Sequence, residues 1–198
     1  MPELPEVEVV KNFLNSNFNG KRIQKIKILN KKLRYEIKTN ITKHFINLII
    51  TKIFRRGKYL ILLFENKYTL LVHLGMTGYF RIIKEENYMK HDHLVFYFES
   101  KLLVYNDIRK FGFIKFYKPD EVLNSQHLVK IGPEPFSKEY DFDYFKLNSK
   151  KTTNIKNLLM NQNFVAGLGN IYCSEILFDA KISPKKRCKN LNNKQIKQ

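Results

Sequence analysis

The first eight residues of the chain, Met1 to Glu8, hold the groups best suited to chemistry. Removal of Met1 would leave Pro2 with its ring nitrogen as the free amine of the chain, beside the carboxylate of Glu3. A free α-amino group loses its proton more readily than a lysine side chain, so part of it is nucleophilic at neutral pH. Such an amine can attack the C1′ carbon of a sugar and form an iminium, with Glu3 placed to move protons.

The same residues also suit the start of a helix. Proline favours the first helical turn, and early glutamates complement the positive end of the helix dipole. An apolar stripe predicts a helix that runs to about Ser16, formed by Val7, Val10, Phe13 and Leu14. That helix accounts for Pro5 but not for Pro2 and Glu3. Because short motifs are weak signals, these residues alone favour the structural interpretation.

Composition indicates a globular, strongly basic protein. The 198 residues are enough for one large domain or two small ones, and 43% of them are hydrophobic. Lys and Arg outnumber Asp and Glu by 36 to 18, a formal charge of +18 that favours a polyanionic partner. A membrane-surface or ribosome-associated protein is the alternative. No apolar run approaches the ~20 residues of a membrane span, and no amino-terminal signal pattern is visible.

Cysteine and histidine usage does not predict a metal site. Cys173 and Cys188 form neither a CxxC motif nor a disulfide framework, so reduced thiols are expected. His91 and His93 would lie on the same face of a strand. No cysteine or carboxylate cluster completes four ligands beside them. We therefore expect no metal cofactor in this chain.

After the first helix the chain reads as a series of short strands. Turn residues such as Glu65-Asn66-Lys67 separate seven strand-forming runs: Arg22 to Leu29, Tyr59 to Phe64, Thr69 to Leu74, Tyr79 to Ile83, Leu94 to Phe98, Leu102 to Tyr105 and Phe113 to Tyr117. This pattern predicts a sandwich or barrel. A basic, irregular stretch follows the first strand, at Lys31, Lys32 and Arg34.

The pattern changes near Pro119. A connector ends in Gly132-Pro133-Glu134-Pro135, and apolar residues three and four apart then predict three helices: Asp143 to Leu147, Asn154 to Asn161 and Ile171 to Ala180. The last residues, Asn193 to Gln198, lack a helix cap, which we expect of a truncated chain.

Three loop segments have unusual side chains. Lys58 precedes an apolar strand; such a lysine is usually a solvated charge, but beside a nucleophilic amine it could shuttle protons or hold a phosphate. Met76 lies at the tip of a two-glycine turn, where there is no core to fill. Arg109 and Phe111 share a loop between strands, which suits a wedge into a base stack. An ordinary hairpin with Phe111 folded onto the sheet is the equal alternative.

The segment from Gly167 to Tyr172 starts a helix with small residues. Its free backbone N–H groups and the helix dipole suit an anion, and Lys150, Lys151 and Lys156 lie just upstream. A dinucleotide-binding fold is rejected, because its glycine motif needs a preceding strand and here a helix precedes it.

Taken together, these segments resemble the formamidopyrimidine-DNA glycosylase family of base-excision repair enzymes. The resemblance covers nearly the whole chain in collinear order. It is carried by seven segments: Pro2-Glu3-Leu4-Pro5-Glu6-Val7-Glu8, Lys58, His73-Leu74-Gly75-Met76-Thr77-Gly78, His91-Asp92-His93, Asp107-Ile108-Arg109-Lys110-Phe111-Gly112, Gly132-Pro133-Glu134-Pro135 and Gly167-Leu168-Gly169-Asn170-Ile171-Tyr172.

The resemblance implies an α+β fold with a catalytic β-sandwich lobe flanked by helices at 1–118, a connector at 119–135 and a helix–two-turn–helix lobe at 136–198. It implies a bifunctional enzyme that excises oxidised purines, formamidopyrimidine and 8-oxoguanine, and cleaves the abasic site by β-elimination. Pro2 would be the Schiff-base nucleophile, Glu3 the proton donor to the sugar ring and Lys58 the proton donor in β-elimination. The implied DNA-binding residues are Met76, His91, Arg109, Phe111, Lys151, Lys156 and Asn170.

The implied partner is damaged double-stranded DNA, bound by a monomer with no membrane association, in the cytoplasm of a bacterium or endosymbiont and close to the nucleoid. The chain departs from the family pattern in lacking the four-cysteine zinc finger and its arginine, and the loop that covers the damaged base. Ile108 and Lys110 also replace the usual proline and arginine. These losses put DNA affinity, δ-elimination and lesion choice in doubt, but not the chemistry of Pro2.

Three other functions remain open. One is a truncated, non-catalytic DNA-binding remnant, which would bind duplex with a steep salt dependence and form no covalent adduct. A tautomerase-like enzyme with an amino-terminal proline base is disfavoured, since those chains are shorter and not strongly basic. A related glycosylase for oxidised pyrimidines is close, but the Met76 and Phe111 loops favour the purine branch.

Overall fold

The computed structural model of the chain describes residues 1–149 and 153–198. They form two compact units, Met1–Ser125 and Gln126–Gln198. The boundary falls inside the predicted connector, whose limits at residues 119 and 135 stay a prediction. None of the helices in the described ranges has the length and apolar content that a membrane crossing needs.

The first unit begins with helix α1, Leu4–Phe18, which ends two residues after the predicted end at Ser16. Glu3 is its N-cap. Glu3 and Glu6 form a capping box, in which the Glu3 N–H donates to Glu6 Oε2 at 2.9 Å. The start of α1 therefore explains the choice of Glu3 as well as that of Pro5. The expectation that the helix does not account for Glu3 was wrong.

Within the first unit, all of whose backbone is described, eight strands form two antiparallel four-stranded sheets. One sheet contains β1 (Lys25–Ile28), β5 (Tyr79–Ile83), β6 (Asp92–Tyr97) and β7 (Leu102–Asn106), in the order β1-β6-β7-β5. The other contains β2 (Ile50–Arg56), β3 (Tyr59–Phe64), β4 (Thr69–His73) and β8 (Phe113–Tyr117), in the order β2-β3-β4-β8.

An apolar core joins the two sheets and α1. Its buried side chains come from the helix and from both sheets, and include Val7, Leu14, Phe18, Leu62, Val72, Leu94, Phe96, Leu103 and Ile114. Ile26 and Ile28 pack against this cluster from β1. The predicted β-sandwich with a flanking helix is confirmed.

The predicted strands are found with small shifts, and three of them, β3, β5 and β8, have the predicted bounds. β2 was not predicted. A β-bulge between Ile50 and Lys52 breaks its alternation, and Arg55 and Arg56 end it with two adjacent charges. A short helix α2 (Thr39–Thr42) and a 3₁₀ turn (Lys43–Phe45) precede β2.

The second unit is helical. Helices α3 (Phe142–Asn148), α4 (Ile155–Met160) and α5 (Asn170–Asp179) confirm the three predicted ones. A short fourth helix, α6 (Asn193–Lys197), was not predicted: Asn192 caps it by accepting a hydrogen bond from the Gln195 N–H at 2.9 Å. The expectation that this segment lacks a cap was therefore wrong, because Asn192 and Gln195 form a capping box.

Candidate active site and nucleic-acid interface

A cavity of about 610 Å³ in the first unit brings the N-terminus together with both unusual loops. We call it the N-terminal cavity; it is lined by Met1, Arg34, His73, Gly75, Met76, Arg109, Lys110 and Phe111. Three of the predicted site residues, Met76, Arg109 and Phe111, therefore meet in one place. Pro2, Glu3, Lys58 and His91 are not among the lining residues.

The N-terminus enters this cavity through Met1, which is half exposed. The nitrogen of Pro2 is bonded to Met1, so it lies at the cavity edge. Glu3 follows with only 3% of its surface exposed, because it caps α1. The start of α1 therefore fixes the position of the backbone at Pro2 and Glu3.

Lys58 lies in the tight turn between β2 and β3. Arg56 pairs with Tyr59, leaving Gly57 and Lys58 as a two-residue loop, and Gly57 has a φ of +55°. Glycine with positive φ at the first loop position is typical of a type II′ hairpin. Lys58 is only 6% exposed, so it is not the solvated charge usual for a lysine at the entry to a strand.

Arg55 connects this hairpin to α1 by hydrogen bonds. Its Nε donates to Glu8 Oε2 at 2.8 Å, and its guanidinium also donates to the carbonyl of Gly57 at 2.9 Å. Burial acts to raise the pKa of Glu8, but hydrogen bonds from Lys11 and Arg55 outweigh it and hold the pKa below the ordinary glutamate value. The Lys58 turn is thus tied to the helix that begins beside Pro2.

Asp107 joins the two loops that enter the N-terminal cavity. It is fully buried; its Oδ1 accepts from Thr77 Oγ1 at 2.5 Å, and its Oδ2 accepts from the Gly112 N–H at 2.8 Å. Thr77 Oγ1 in turn accepts from the Arg109 N–H at 3.0 Å. The Met76 turn and the Arg109–Phe111 loop are therefore one hydrogen-bonded unit.

Small residues allow the two loops to approach. Gly75 has a φ of +62°, and a Cβ there would overlap the backbone of Gly112. Tyr105 lies beneath both loops, where burial and then the charge of Asp107 raise its pKa. Alternation and turn signals in the sequence could not reveal the hydrogen bond between Thr77 and Asp107, because the two residues are 30 positions apart in the chain.

The outward side chains of these loops are exposed. Met76 is 42% and Phe111 48% exposed, and the Arg109 guanidinium carbon lies 4.7 Å from the Phe111 ring centre. Phe111 is therefore not buried against the sheet. An exposed apolar side chain beside an arginine is the arrangement a base-stack wedge needs.

His91 lies next to the Arg109–Phe111 loop, but His93 has a structural role. The His91 carbonyl accepts from the Asp107 N–H at 3.1 Å, and His93 Nε2 is 3.0 Å from the Asp107 carbonyl. His91 has a φ of +73° and precedes β6, whose bulge falls between Asp92 and Leu94. The same-face pairing of His91 and His93 was therefore wrong, because the alternation is interrupted there.

In the second unit, α4 and α5 are joined by a turn at residues 161–169, which contains Gly167 and Gly169. Gln162, which sequence reasoning missed, stabilises this turn: its Oε1 accepts from the Gly167 N–H at 2.9 Å and its Nε2 donates to the Leu168 carbonyl at 2.7 Å. Lys156 Nζ lies 3.0 Å from Ser174 Oγ, which donates to the Asn170 carbonyl at 2.7 Å. Lys156 and the first turn of α5 are thus adjacent, whereas Lys151 lies outside the described residues.

Neither cysteine is placed as a metal ligand. Cys173 and Cys188 are both buried in the apolar core of the second unit, and burial raises the pKa of the Cys188 thiol. Within residues 1–149 and 153–198, no group of three or more His, Cys, Asp or Glu side chains could hold a metal ion.

Family models match both units. Residues 1–114 match the formamidopyrimidine-DNA glycosylase N-terminal domain, and residues 131–198 match the formamidopyrimidine-DNA glycosylase H2TH domain. The chain belongs to the formamidopyrimidine-DNA glycosylase family. Relatives of that name include one from Rickettsia bellii, 43% identical over 201 residues, covering 100% of this chain and 73% of its own. Another, from Legionella pneumophila, is 36% identical over 198 residues, covering 99% and 72%.

Solved structures of family members have the same fold. The Lactococcus lactis Fpg in complex with DNA containing an abasic site matches with a TM-score of 0.92 at 37% identity, covering 98% of this chain and 73% of that one. MutM in complex with DNA containing carbocyclic 8-oxo-G matches with a TM-score of 0.91 at 38% identity, covering 99% and 74%.

Proposed function

We propose that this chain is a bifunctional DNA glycosylase that excises oxidised purines, formamidopyrimidine and 8-oxoguanine, and then cleaves the abasic site by β-elimination. The observation that carries the proposal is the N-terminal cavity, where Met1 meets Met76, Arg109 and Phe111. Removal of Met1 exposes the Pro2 nitrogen beside side chains suited to replacing an everted nucleotide. Family membership and the DNA complexes of its relatives support the same conclusion.

Pro2 is the proposed nucleophile. Its nitrogen forms a bond to C1′ as the bond from C1′ to the damaged base breaks, and the departing base takes up the proton that the nitrogen releases. Glu3 protonates the ring oxygen, so the C1′–O4′ bond breaks and the sugar opens to an iminium. The iminium withdraws electrons from C2′, which loses a proton, and the C3′–O3′ bond then breaks with release of the 3′ phosphate. Lys58 donates a proton during this elimination.

The exposed loops perform the eversion step. Moving a base out of the stack costs a few kcal/mol, less at a damaged pair. Met76 and Phe111 offset that cost by filling the gap, and Arg109 pairs with the base left alone. Because Asp107 and Thr77 hold the two loops together, the three side chains enter the duplex as one wedge.

The remaining proposed contacts are with DNA phosphates. His91 serves this role in the first unit, and Lys151, Lys156 and Asn170 serve it in the second. α5 begins at Asn170 with Gly169 as its N-cap, so its first backbone N–H groups and its dipole attract an anion. Lys156 is adjacent to that first turn through Ser174. We propose that the chain acts on damaged duplex DNA as a monomer.

Product analysis tests this function. The chain with Met1 removed should release 8-oxoguanine from a duplex and leave a strand break with the 3′ end of β-elimination. The matched control is the same chain with Met1 retained, in which the Pro2 nitrogen is an amide and cannot attack. Equal activity of the two forms would contradict the proposal. Duplex binding without base release by either form would support the non-catalytic alternative.

A further inference from the structure

A second, larger cleft in the first unit shares a lining residue, Arg34, with the N-terminal cavity. It has a volume of about 1050 Å³ and is lined by residues 34–40, residues 114–118 and Glu121. We call it the Arg34 cleft. Its charged side chains are four cations and two carboxylates: Arg34, Lys38, Lys115, Lys118, Glu36 and Glu121. Glu121 accepts from the Lys118 N–H at 3.0 Å, so one carboxylate is engaged at that end of the cleft.

Arg34 belongs to both cavities. It lines the N-terminal cavity with Met1, Met76 and Phe111, and it lines the Arg34 cleft with Lys115. Its backbone N–H donates to the Gly112 carbonyl at 3.2 Å, which attaches this segment to the end of the Arg109–Phe111 loop. The two cavities therefore share one lining residue, an exposed arginine.

A row of aromatic rings runs along the same path. The His73 ring stacks on Phe113 with centres 5.6 Å apart, and Phe113 meets the edge of Tyr35 at 5.2 Å. Lys115 Nζ lies 3.8 Å from the Tyr35 ring centre, and the Arg34 guanidinium carbon lies 5.8 Å from it. The ring of Tyr35 thus supports two cations at the far end of a row that begins in the N-terminal cavity.

The cations of the cleft are close enough to affect one another. Burial, followed by the charges of Lys38 and Arg34, lowers the pKa of Lys115 below the ordinary lysine value. The four cations outnumber the two carboxylates of the cleft, so its net charge is positive and a bound anion would relieve the repulsion. The cleft therefore suits phosphate.

We propose that the Arg34 cleft binds backbone phosphates of the DNA strand on one side of the lesion, so that Arg34, Lys38 and Lys115 extend the interface beyond the wedge. This inference rests on the proposed function, because the same DNA must enter the N-terminal cavity. A continuous strand is favoured over a free phosphate, since Arg34 lines both cavities.

The test measures binding of the chain to a long duplex with a central tetrahydrofuran abasic analogue. The variants are Arg34→Gln, Lys38→Gln and Lys115→Gln, each compared at several salt concentrations. Each should weaken binding about fivefold and reduce the slope of log affinity against log salt by about one, the signature of one lost phosphate contact. Lys115→Arg keeps the charge and should bind like the parent chain.

Lys52→Gln is the matched control. Lys52 is an exposed lysine in β2, at the opposite edge of the sheet that contains Lys115, and it too lies over an aromatic ring, that of Phe54 at 5.5 Å. It should leave affinity and salt slope unchanged. Thermal unfolding of every variant checks that the fold is retained.

Two shortened duplexes identify the occupant. Each duplex ends close to the lesion, one on the 5′ side and one on the 3′ side. On one of them only, the three variants should bind as tightly as the parent chain. The inference would be overturned if the three variants lost no more affinity than Lys52→Gln does. It would also be overturned if their loss of affinity persisted on both shortened duplexes. If the parent chain failed to bind the long duplex at all, the proposed function would fail with it.

Discussion

Glu3 combines a structural task with the chemical task proposed for it. Its side chain caps α1 and is almost completely buried, yet the proposed mechanism needs its proton. The two tasks can be separated because a glutamine keeps an oxygen that accepts the capping hydrogen bond but has no acidic proton. Glu3, next to the proposed nucleophile Pro2, is thus held in position by the helix that it starts.

Glu3→Gln should therefore retain stability and lose excision. Loss of general acid catalysis is expected to lower the excision rate by about 10²–10⁴-fold. Glu3→Ala should lose excision too, and in addition about 1 kcal/mol of stability through the lost cap. Single-turnover kinetics and chemical denaturation check both expectations. Normal excision by Glu3→Gln would exclude the proposed role.

Phe111 is expected to act in eversion rather than in bond breaking. Phe111→Ala should lower kcat/KM strongly on a paired 8-oxoguanine, by about tenfold or more, and much less on an abasic site, where no base leaves the stack. The control is Ile108→Ala, since Ile108 is also exposed in the same loop. Equal losses on both substrates would indicate that Phe111 serves the chemistry or the fold instead.

Some of the proposed site residues stand out in the sequence because their side chains are unusual for their positions. Met76 at a turn tip and Phe111 beside an arginine are recognisable without a structure. The residues that hold them are not, because Asp107 and Arg34 act through contacts with residues far away in the chain. The burial of Lys58 and the role of Gln162 likewise depend on turn geometry that no local pattern records.

Asp107 joins two elements, the Met76 turn and the Arg109–Phe111 loop. Together these loops set the positions of the exposed side chains in the N-terminal cavity. Thr77 supplies one hydroxyl that both donates to Asp107 and accepts from the Arg109 backbone. Without it, a buried carboxylate oxygen loses a partner and the two loops can move separately.

Thr77→Val should cost about 1–3 kcal/mol of stability, the usual penalty for a buried polar group left without a partner. It should also reduce excision, because Met76 and Arg109 no longer move together. Thr77→Ser keeps the hydroxyl and should restore both properties. Denaturant titration and kcat/KM give the two readouts; a Thr77→Ser variant as defective as Thr77→Val would show that the methyl group, not the hydroxyl, matters.

The Glu8–Arg55 contact between α1 and the Lys58 hairpin should depend on pH. The pKa of Glu8 is lower in the folded chain than its ordinary value, so its contribution to stability is present above the ordinary glutamate pKa. That contribution is lost as the pH falls through the lowered folded pKa. The difference in thermal midpoint between the parent chain and Glu8→Gln should therefore shrink as the pH falls through that range. A difference that stayed constant would contradict this assignment.

Elements with clean periodicity were predictable from sequence. β3, β5 and β8 alternate or run apolar between turns, and α4 and α5 show helical spacing. β2 was missed because a bulge interrupts its alternation and two arginines end it. α6 was missed because its signal is a single capping box over five residues. Local irregularity explains the first difference, and the shortness and exposure of α6 explain the second.

For the whole molecule, a net charge of +18 and a two-unit architecture are consistent with a protein that binds duplex DNA. The chain spans 72–73% of the length of the relatives described above. All three proposed catalytic residues, Pro2, Glu3 and Lys58, nevertheless lie in the first unit, together with the N-terminal cavity. We therefore predict that the chemistry takes place at the amino terminus of this chain.

Borohydride trapping on abasic-site DNA tests that claim most directly, because reduction converts the iminium into a stable bond between protein and sugar. With Met1 removed, mass spectrometry should locate the DNA adduct on the nitrogen of Pro2. Retention of Met1 should abolish the adduct. No trapped complex from the mature chain, or an adduct on a lysine with Pro2 unmodified, would contradict the account.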